Sequence, residues 1–286
     1  MATSKTYREY FDINPKYYAA VTPELVEAGK VSWKDFYPHD TFVDLLKKVN
    51  TVLSKQDTRS LWVEGAFGTG KSHAVFTVKK MLEAADEEIR AYFDDFGLSR
   101  DLCQKLITGK NAGRILMVER TGSSDIHSDQ DLIIKIQESV MAALREQGIE
   151  NQGEAALTGA TLKWLEKEAN NTYFASLIAE EKYAWDFGGK SVEEIMSLLQ
   201  SGKENEIAQT MRCIMKVAKD NNILAMQMDA PAMAEWLTDI IAKNHLGAII
   251  FIWDEFTEFF RNNSNSLTGF QTLAALSQSQ PFYFMI

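Results

Sequence analysis

The chain has 286 residues, 45% of them hydrophobic, and a formal net charge of −10, a composition that suits one or two packed domains. Its two cysteines, Cys103 and Cys213, fit no metal-binding spacing and are expected to be buried thiols in a reducing compartment. The sequence shows neither a signal peptide nor an apolar run of membrane-spanning length, so we expect a cytoplasmic protein. Residues 125–246 contain 20 acidic and 11 basic side chains, which argues against tight DNA binding by that segment.

The first elements precede the expected sheet. Residues 1–36 form an aromatic-rich lead-in, in which Thr22 and Pro23 predict the start of a short helix. Residues 41–53 predict an amphipathic helix, because apolar residues recur at helical spacing at positions 42, 45, 46, 49, 52 and 53.

A glycine-rich loop between a strand and a helix is the strongest signal. Leu61–Glu64 predicts a short buried strand, residues 73–82 predict a helix, and Gly65–Ser72 fits G-x-x-x-x-G-K-[ST]. Glycines let backbone N–H groups approach phosphate oxygens, the lysine would contact the β and γ phosphates, and the serine hydroxyl would bind Mg²⁺. The pattern therefore predicts ATP and Mg²⁺ as cofactors. The expected nucleotide-binding residues are Gly65, Ala66, Phe67, Gly68, Thr69, Gly70, Lys71, Ser72 and His73.

A second strand is predicted over residues 114–119, after a polar stretch with one expected helix that ends at Gly109. Glu119, Arg120 and Thr121 would lie where this strand ends, and ligands of open α/β sheets bind beyond the carboxyl ends of strands. These residues are expected either to sense the γ-phosphate or restrain a catalytic glutamate, or to form an exposed salt-bridging pair.

Residues 125–246 predict a helical insertion, because no alternating pattern in them indicates another strand. The tryptophans of this segment are expected to pack in its core, as aromatic residues at helical spacing usually do. They are Trp164, Trp185 and Trp236. The expected helices span 129–144, 154–169, 172–181, 192–199, 206–220 and 232–243.

A buried strand that ends in two carboxylates forms the other half of the expected site. Residues 248–253 are apolar throughout, which is typical of a central parallel strand, and Asp254 and Glu255 follow. Asp254 would hold Mg²⁺ directly or through water, and Glu255 would orient and polarise the attacking water. The predicted catalytic residues are therefore Glu255 and Lys71, and the predicted metal ligands are Ser72 and Asp254.

The remaining residues predict two helices and a fourth strand. A helix begins near Glu258 and carries Arg261, which is expected to be solvated at the helix end. Another helix is expected over 267–276, and residues 281–286 begin a strand. Because a complete sheet would continue this apolar strand, we expect the sheet to be incomplete at the C-terminus and the chain to be part of a longer protein.

With both motifs, the chain resembles the AAA+ and STAND-like P-loop ATPases over residues 37–124 and 247–286. Segments 33–39, 63–73 and 120–125 are more specifically similar to large bacterial phage-defence ATPases of the BREX type, BrxC or PglY. The resemblance implies an α/β P-loop NTPase fold with a parallel sheet, interrupted by the large helical insertion.

The resemblance also implies a function. It implies ATP hydrolysis that drives a conformational switch or remodelling in an anti-phage system, with protein partners in a defence complex and a possible homo-oligomer. DNA contact is conceivable in such a system but is not supported by the charge. By the same resemblance, Tyr37, Pro38 or His39 would contact the adenine ring, with ordinary loop packing as the alternative.

Two other classes of function stay open. The chain could be an adaptor that binds ATP as a structural ligand and uses the acidic helical insertion to bind a protein. It could also be a small-molecule phosphotransferase, although Asp254 and Glu255 supply a water-activating pair and the sequence shows no arginine-rich substrate lid.

Overall fold

The computed structural model describes residues 31–55, 59–66, 68–124, 126–149, 154–223, 230–262 and 267–286. The helix predicted at Thr22 and Pro23 lies outside these residues, as does the loop residue Phe67. The chain divides into two compact units, one formed by Met1–Gly113 with Phe284–Ile286 and the other by Arg114–Tyr283.

Helices dominate the described part of the first unit. They are a short 3-10 helix at Trp33–Asp35 and helices α1 (Asp40–Leu53), α2 (Lys71–Glu83), α3 (Asp86–Asp95) and α4 (Arg100–Asn111). The prediction for residues 41–53 is confirmed by α1, whose apolar face is buried; its residues are Phe42, Leu45, Leu46, Val49, Val52 and Leu53.

Two details of α3 and α4 differ from the prediction. The sequence does not predict α3, because its many acidic residues obscure a short apolar stripe of Ile89, Tyr92 and Phe93, all of which are buried. The predicted helix end at Gly109 is wrong, since α4 continues to Asn111. A Cβ at Gly109 would lie only 2.9 Å from the Cβ of Leu53, so this glycine permits close packing of α4 on α1.

The segment before the glycine-rich loop is not the buried strand that the sequence predicts. Leu61 forms an isolated parallel bridge with Met285, and its N–H donates to the carbonyl of Phe284 over 2.7 Å. Trp62 is 51% exposed and Glu64 is exposed. Successive side chains of an extended segment point to opposite faces. Every second residue is therefore exposed when no other element covers one of the faces.

The second unit contains the paired strands and the insertion. Its elements are β1 (Arg114–Thr121), α5 (Asp129–Glu146), α6 (Glu154–Leu165), α7 (Glu168–Ile178), α8 (Glu181–Phe187), α9 (Val192–Ser201), α10 (Glu204–Asp220), α11 (Ala230–Lys243), β2 (Leu246–Asp254), α12 (Thr257–Asn262), α13 (Thr268–Ala275), a 3-10 helix (Leu276–Gln278) and the first half of β3 (Phe282–Met285), whose last two residues belong to the first unit. The architecture is therefore mixed α/β and mostly helical.

The sheet is small, parallel and open, with the strand order β1-β2-β3. Strand β2 is buried from Ala248 to Trp253, which confirms the prediction of a buried strand there. Strand β1 is two residues longer than the predicted strand over 114–119, because it also includes Arg120 and Thr121. Thr121 pairs with Asp254, so both strands end at the same level.

The insertion packs around a core of its own. Its buried residues come from α6 to α10 and the turn after α10, and they include Leu165, Phe174, Tyr183, Phe187, Ile195, Leu199, Ile214 and Val217. Trp236 is buried in α11 and Trp164 is partly buried, as predicted, but Trp185 is 90% exposed on α8, and the core prediction is wrong for it. Among the described residues, no helix is both long and apolar enough to cross a membrane.

Candidate functional site

The glycine-rich loop adopts a conformation that requires glycine at two of its positions. Gly68 and Gly70 have φ values of 80° and 86°, in the left-handed region that residues with a Cβ avoid. The hydroxyl of Thr69 donates to the carbonyl of Ala66 over 2.8 Å. A Cβ at Gly65 would lie 2.8 Å from the Oγ1 of Thr69, so a larger residue there would have to displace the hydroxyl that bonds to Ala66.

The loop ends directly at the N-terminus of α2. Gly70 is the N-cap of α2, and as a glycine it has no side chain to accept a hydrogen bond from the first turn. The ammonium of Lys71 donates to the carbonyls of Gly65 and Ala66, over 2.8 and 3.0 Å. Ser72 is exposed in the first turn. Backbone N–H groups, a lysine ammonium and a serine hydroxyl thus all belong to the first turn of α2, and these are groups that suit the binding of a phosphate.

His73 packs on the protein side of the loop. Its ring contacts Phe36 edge-on, with 4.8 Å between ring centroids. Burial lowers the pKa of His73, and the nearby charge of Asp35 partly offsets this effect. The Nε2 atom is buried and makes no hydrogen bond to any described residue. The geometry therefore gives His73 a packing role beside the loop; its predicted nucleotide contact stays a prediction.

The three residues expected near adenine occupy different environments. Tyr37 is 72% exposed and touches Phe96, with 5.9 Å between ring centroids. Pro38 is buried. The Nδ1 atom of His39 accepts a hydrogen bond from the backbone N–H of Phe42 over 3.3 Å and caps α1. Ordinary packing and capping therefore account for Pro38 and His39, and Tyr37 has the ring most accessible to a ligand.

The acidic pair lies at the end of β2 in a tight turn. Asp254 is half-buried and Glu255 is exposed. Glu255 has a φ of 57°, which is unusual for a residue with a Cβ. Its N–H donates to the Oδ1 of Asp254 over 3.0 Å, and its carbonyl accepts from the N–H of Glu258 over 3.2 Å. The two carboxylates are thus offered at the carboxyl end of a central strand, where ligands bind in open α/β sheets.

The residues after β1 support this turn. The indole N–H of Trp253 donates to the carbonyl of Gly122 over 2.9 Å, and the N–H of Gly122 donates to the carbonyl of Asp254 over 3.0 Å. The guanidinium of Arg120 lies 5.7 Å from the centroid of the Trp253 ring. The sequence points to Arg120 but not to Gly122 or Trp253. The signal that could have indicated Trp253 is a residue with an N–H donor in an otherwise apolar strand, directly before the acidic pair.

The predicted site residues are divided between the two units. Lys71 and Ser72 belong to the first unit, and Asp254 and Glu255 belong to the second. Arg261, predicted to be solvated, is exposed in α12. The residues fit the implied cofactors chemically, because the glycine loop and Lys71 suit phosphate and because hydroxyl and carboxylate oxygens are ligands that Mg²⁺ prefers.

No protein-family model, curated protein or solved structure is significantly similar to this chain. The likeness to phage-defence ATPases therefore stays a prediction from the motifs.

Proposed function

We propose that this chain is a P-loop NTPase that binds ATP with Mg²⁺ and hydrolyses it. The observation that carries the proposal is the loop at the start of α2, where Gly68 and Gly70 are left-handed and Lys71 folds back over the loop. A phosphate is an acceptor for the same ammonium and for the backbone N–H groups of an uncapped helix start. Its charge would displace the two carbonyls as the partners of Lys71.

The side chains divide the work of hydrolysis. Lys71 would bind and neutralise the β and γ phosphates, and Ser72 and Asp254 would hold the metal ion. When bound, Mg²⁺ supplies charge neutralisation of the phosphates. Glu255 would accept a hydrogen bond from the attacking water and orient it. The exposed position of Glu255 at the carboxyl end of β2 supports this role.

The use of the hydrolysis follows from the sequence resemblance alone. It indicates a conformational switch or remodelling step in a bacterial anti-phage system, with other proteins of that system as partners. A second candidate is an adaptor that binds ATP without turning it over and binds a partner through the insertion. The side chain of Trp185 on α8 is 90% exposed, and an exposed aromatic residue on the insertion favours the adaptor as this second candidate.

ATP binding and phosphate release, measured on the full chain with Mg²⁺, test the proposal. Lys71→Ala is expected to abolish binding, and Lys80→Ala is the matched control because Lys80 lies on the same helix and pairs with Glu83. Glu255→Gln is expected to retain binding and lose phosphate release. Binding without release by the wild type would favour the adaptor, and transfer of phosphate to an added acceptor would favour a phosphotransferase. Equal binding by wild type and Lys71→Ala would refute the assignment of the loop.

A further inference from the structure

The conformation of Glu255 calls for a physical cause. A residue with a Cβ in the left-handed region is disfavoured relative to glycine by about fivefold to thirtyfold in population. Three other described residues with a Cβ have a positive φ: Lys55, Asn222 and His245. Asparagine and histidine adopt this region more readily than glutamate does, and Lys55 directly follows the C-cap of α1, where helices commonly end in a left-handed residue. Such a conformation persists only where the surroundings enforce it, and it concentrates at functional sites.

Two buried aromatic residues are the sequence neighbours of Asp254 and Glu255. Trp253 precedes the pair and Phe256 follows it, and each is at most 3% exposed. Their rings are in contact, with 4.8 Å between centroids. Because both ends of the turn are buried in one aromatic cluster, the backbone between them has little freedom to relax.

Trp253 also ties the turn to the neighbouring strand. Its indole N–H bonds to the carbonyl of Gly122, and the N–H of Gly122 bonds back to the carbonyl of Asp254. The loop after β1 and the end of β2 are thus held together by two hydrogen bonds, both made by the residues directly before Glu255. The contact of Arg120 with the indole ring adds a third restraint from β1.

We propose that Trp253 is a positioning residue, which holds Glu255 in its left-handed conformation by fastening the end of β2 to Gly122. The part of this inference that concerns hydrolysis rests on the proposed function. Trp253 touches neither nucleotide nor water in this role. It acts through the backbone of the turn, so its loss should misplace the Glu255 carboxylate without changing the affinity for ATP.

Steady-state kinetics separate positioning from simple core packing. Trp253→Phe keeps an aromatic ring but removes the N–H donor, and it is expected to lower kcat about tenfold or more while KM changes less than twofold. Trp236→Phe, which also removes a buried indole in the second unit, controls for a general loss of packing and should keep its kcat. An unchanged kcat in Trp253→Phe would overturn the proposal for hydrolysis.

A second measurement needs no activity. As single substitutions in the otherwise wild-type chain, Glu255→Gly is expected to give a more stable protein than Glu255→Ala, because only glycine is unstrained at a positive φ. If Trp253 enforces that conformation, the ratio of the folding equilibrium constants of the glycine and alanine variants should be at least twofold smaller when each variant is made in the Trp253→Phe background. An advantage that is equal in the two backgrounds would refute the fastening role. This result stands even if the wild type releases no phosphate, an outcome that would defeat the proposed function alone.

Discussion

Gly70 offers a sharp test of the loop conformation, because the cost of replacing it has a single cause. A Cβ added at Gly70 would have no atom of the described residues within 4 Å, so Gly70→Ala should create no steric clash with them. What remains is the φ of 86°, which costs a residue with a Cβ about 1–2 kcal/mol. Alanine recovers about 0.4–1 kcal/mol through the lower entropy of its unfolded chain. The difference lies at roughly 0–1.6 kcal/mol, so Gly70→Ala should lower the free energy of unfolding by about 0.8 kcal/mol, the middle of that range.

Gly159 is the matched control. A Cβ there also meets nothing within 4 Å in the described part of the chain, but Gly159 lies inside α6 without a positive φ. Since alanine is favoured over glycine by about 1 kcal/mol within a helix, Gly159→Ala should be stabilising. The two substitutions are chemically identical and differ in backbone conformation, so the signs of their effects should be opposite.

Urea unfolding followed by circular dichroism measures both variants, without nucleotide and with excess ATP and Mg²⁺. A ligand that binds the folded state at 100 times its Kd adds about 2.7 kcal/mol of stability. Gly159→Ala should keep the stabilisation by ATP, and Gly70→Ala should lose most of it. Stabilisation of both variants in the absence of nucleotide would show that Gly70 is not left-handed and would remove the observation behind the proposed function.

Three further predictions follow from other residues. Burial lowers the pKa of His73 below 6.5, so protonation of this ring favours the unfolded chain and the free energy of unfolding should fall as the pH drops below about 6.5. His73→Phe should make this fall smaller in urea titrations at pH 7.5 and 5.5. An equally large fall in the variant would contradict the role of burial. Gly109→Ala would place its Cβ 2.9 Å from that of Leu53; the overpacking costs about 1–3 kcal/mol and the helix propensity of alanine offsets about 1 kcal/mol of it, so this variant should be less stable than Gly159→Ala, and thermal unfolding that shows equal stabilisation by the two substitutions would mean that α1 and α4 are not in close contact. Trp185→Ala should change the free energy of unfolding by less than about 0.5 kcal/mol and leave ATP affinity intact, and a large loss of stability would mean that this side chain is packed in the folded protein.

The parts of the fold that the sequence predicts are those with a strong local pattern. The apolar spacing of residues 41–53 is sufficient for α1, and the apolar run before Asp254 is sufficient for β2, because one buried face or strand determines each. The sequence does not predict helix α3, because the helix buries only three apolar residues and most of its other residues are acidic; the buried residues are Ile89, Tyr92 and Phe93. The sequence predicts less well which large apolar side chains are buried. Trp62 and Trp185 are exposed to solvent, because burial depends on which elements pack against a side chain.

The sequence by itself determined the chemical groups of the candidate site: the glycines and Lys71 of the loop, the hydroxyl of Ser72, and the carboxylates that end β2. Their order along the chain carries this information, because the motif requires particular residues at fixed spacing. Only the tertiary structure showed that Glu255 has a left-handed backbone, that Trp253 bonds to Gly122, and that Gly109 lies against Leu53. These features join residues that are as many as 131 positions apart, and no local pattern encodes such contacts. They arise when strands and helices pack, and that packing decides how the groups named by the sequence are held.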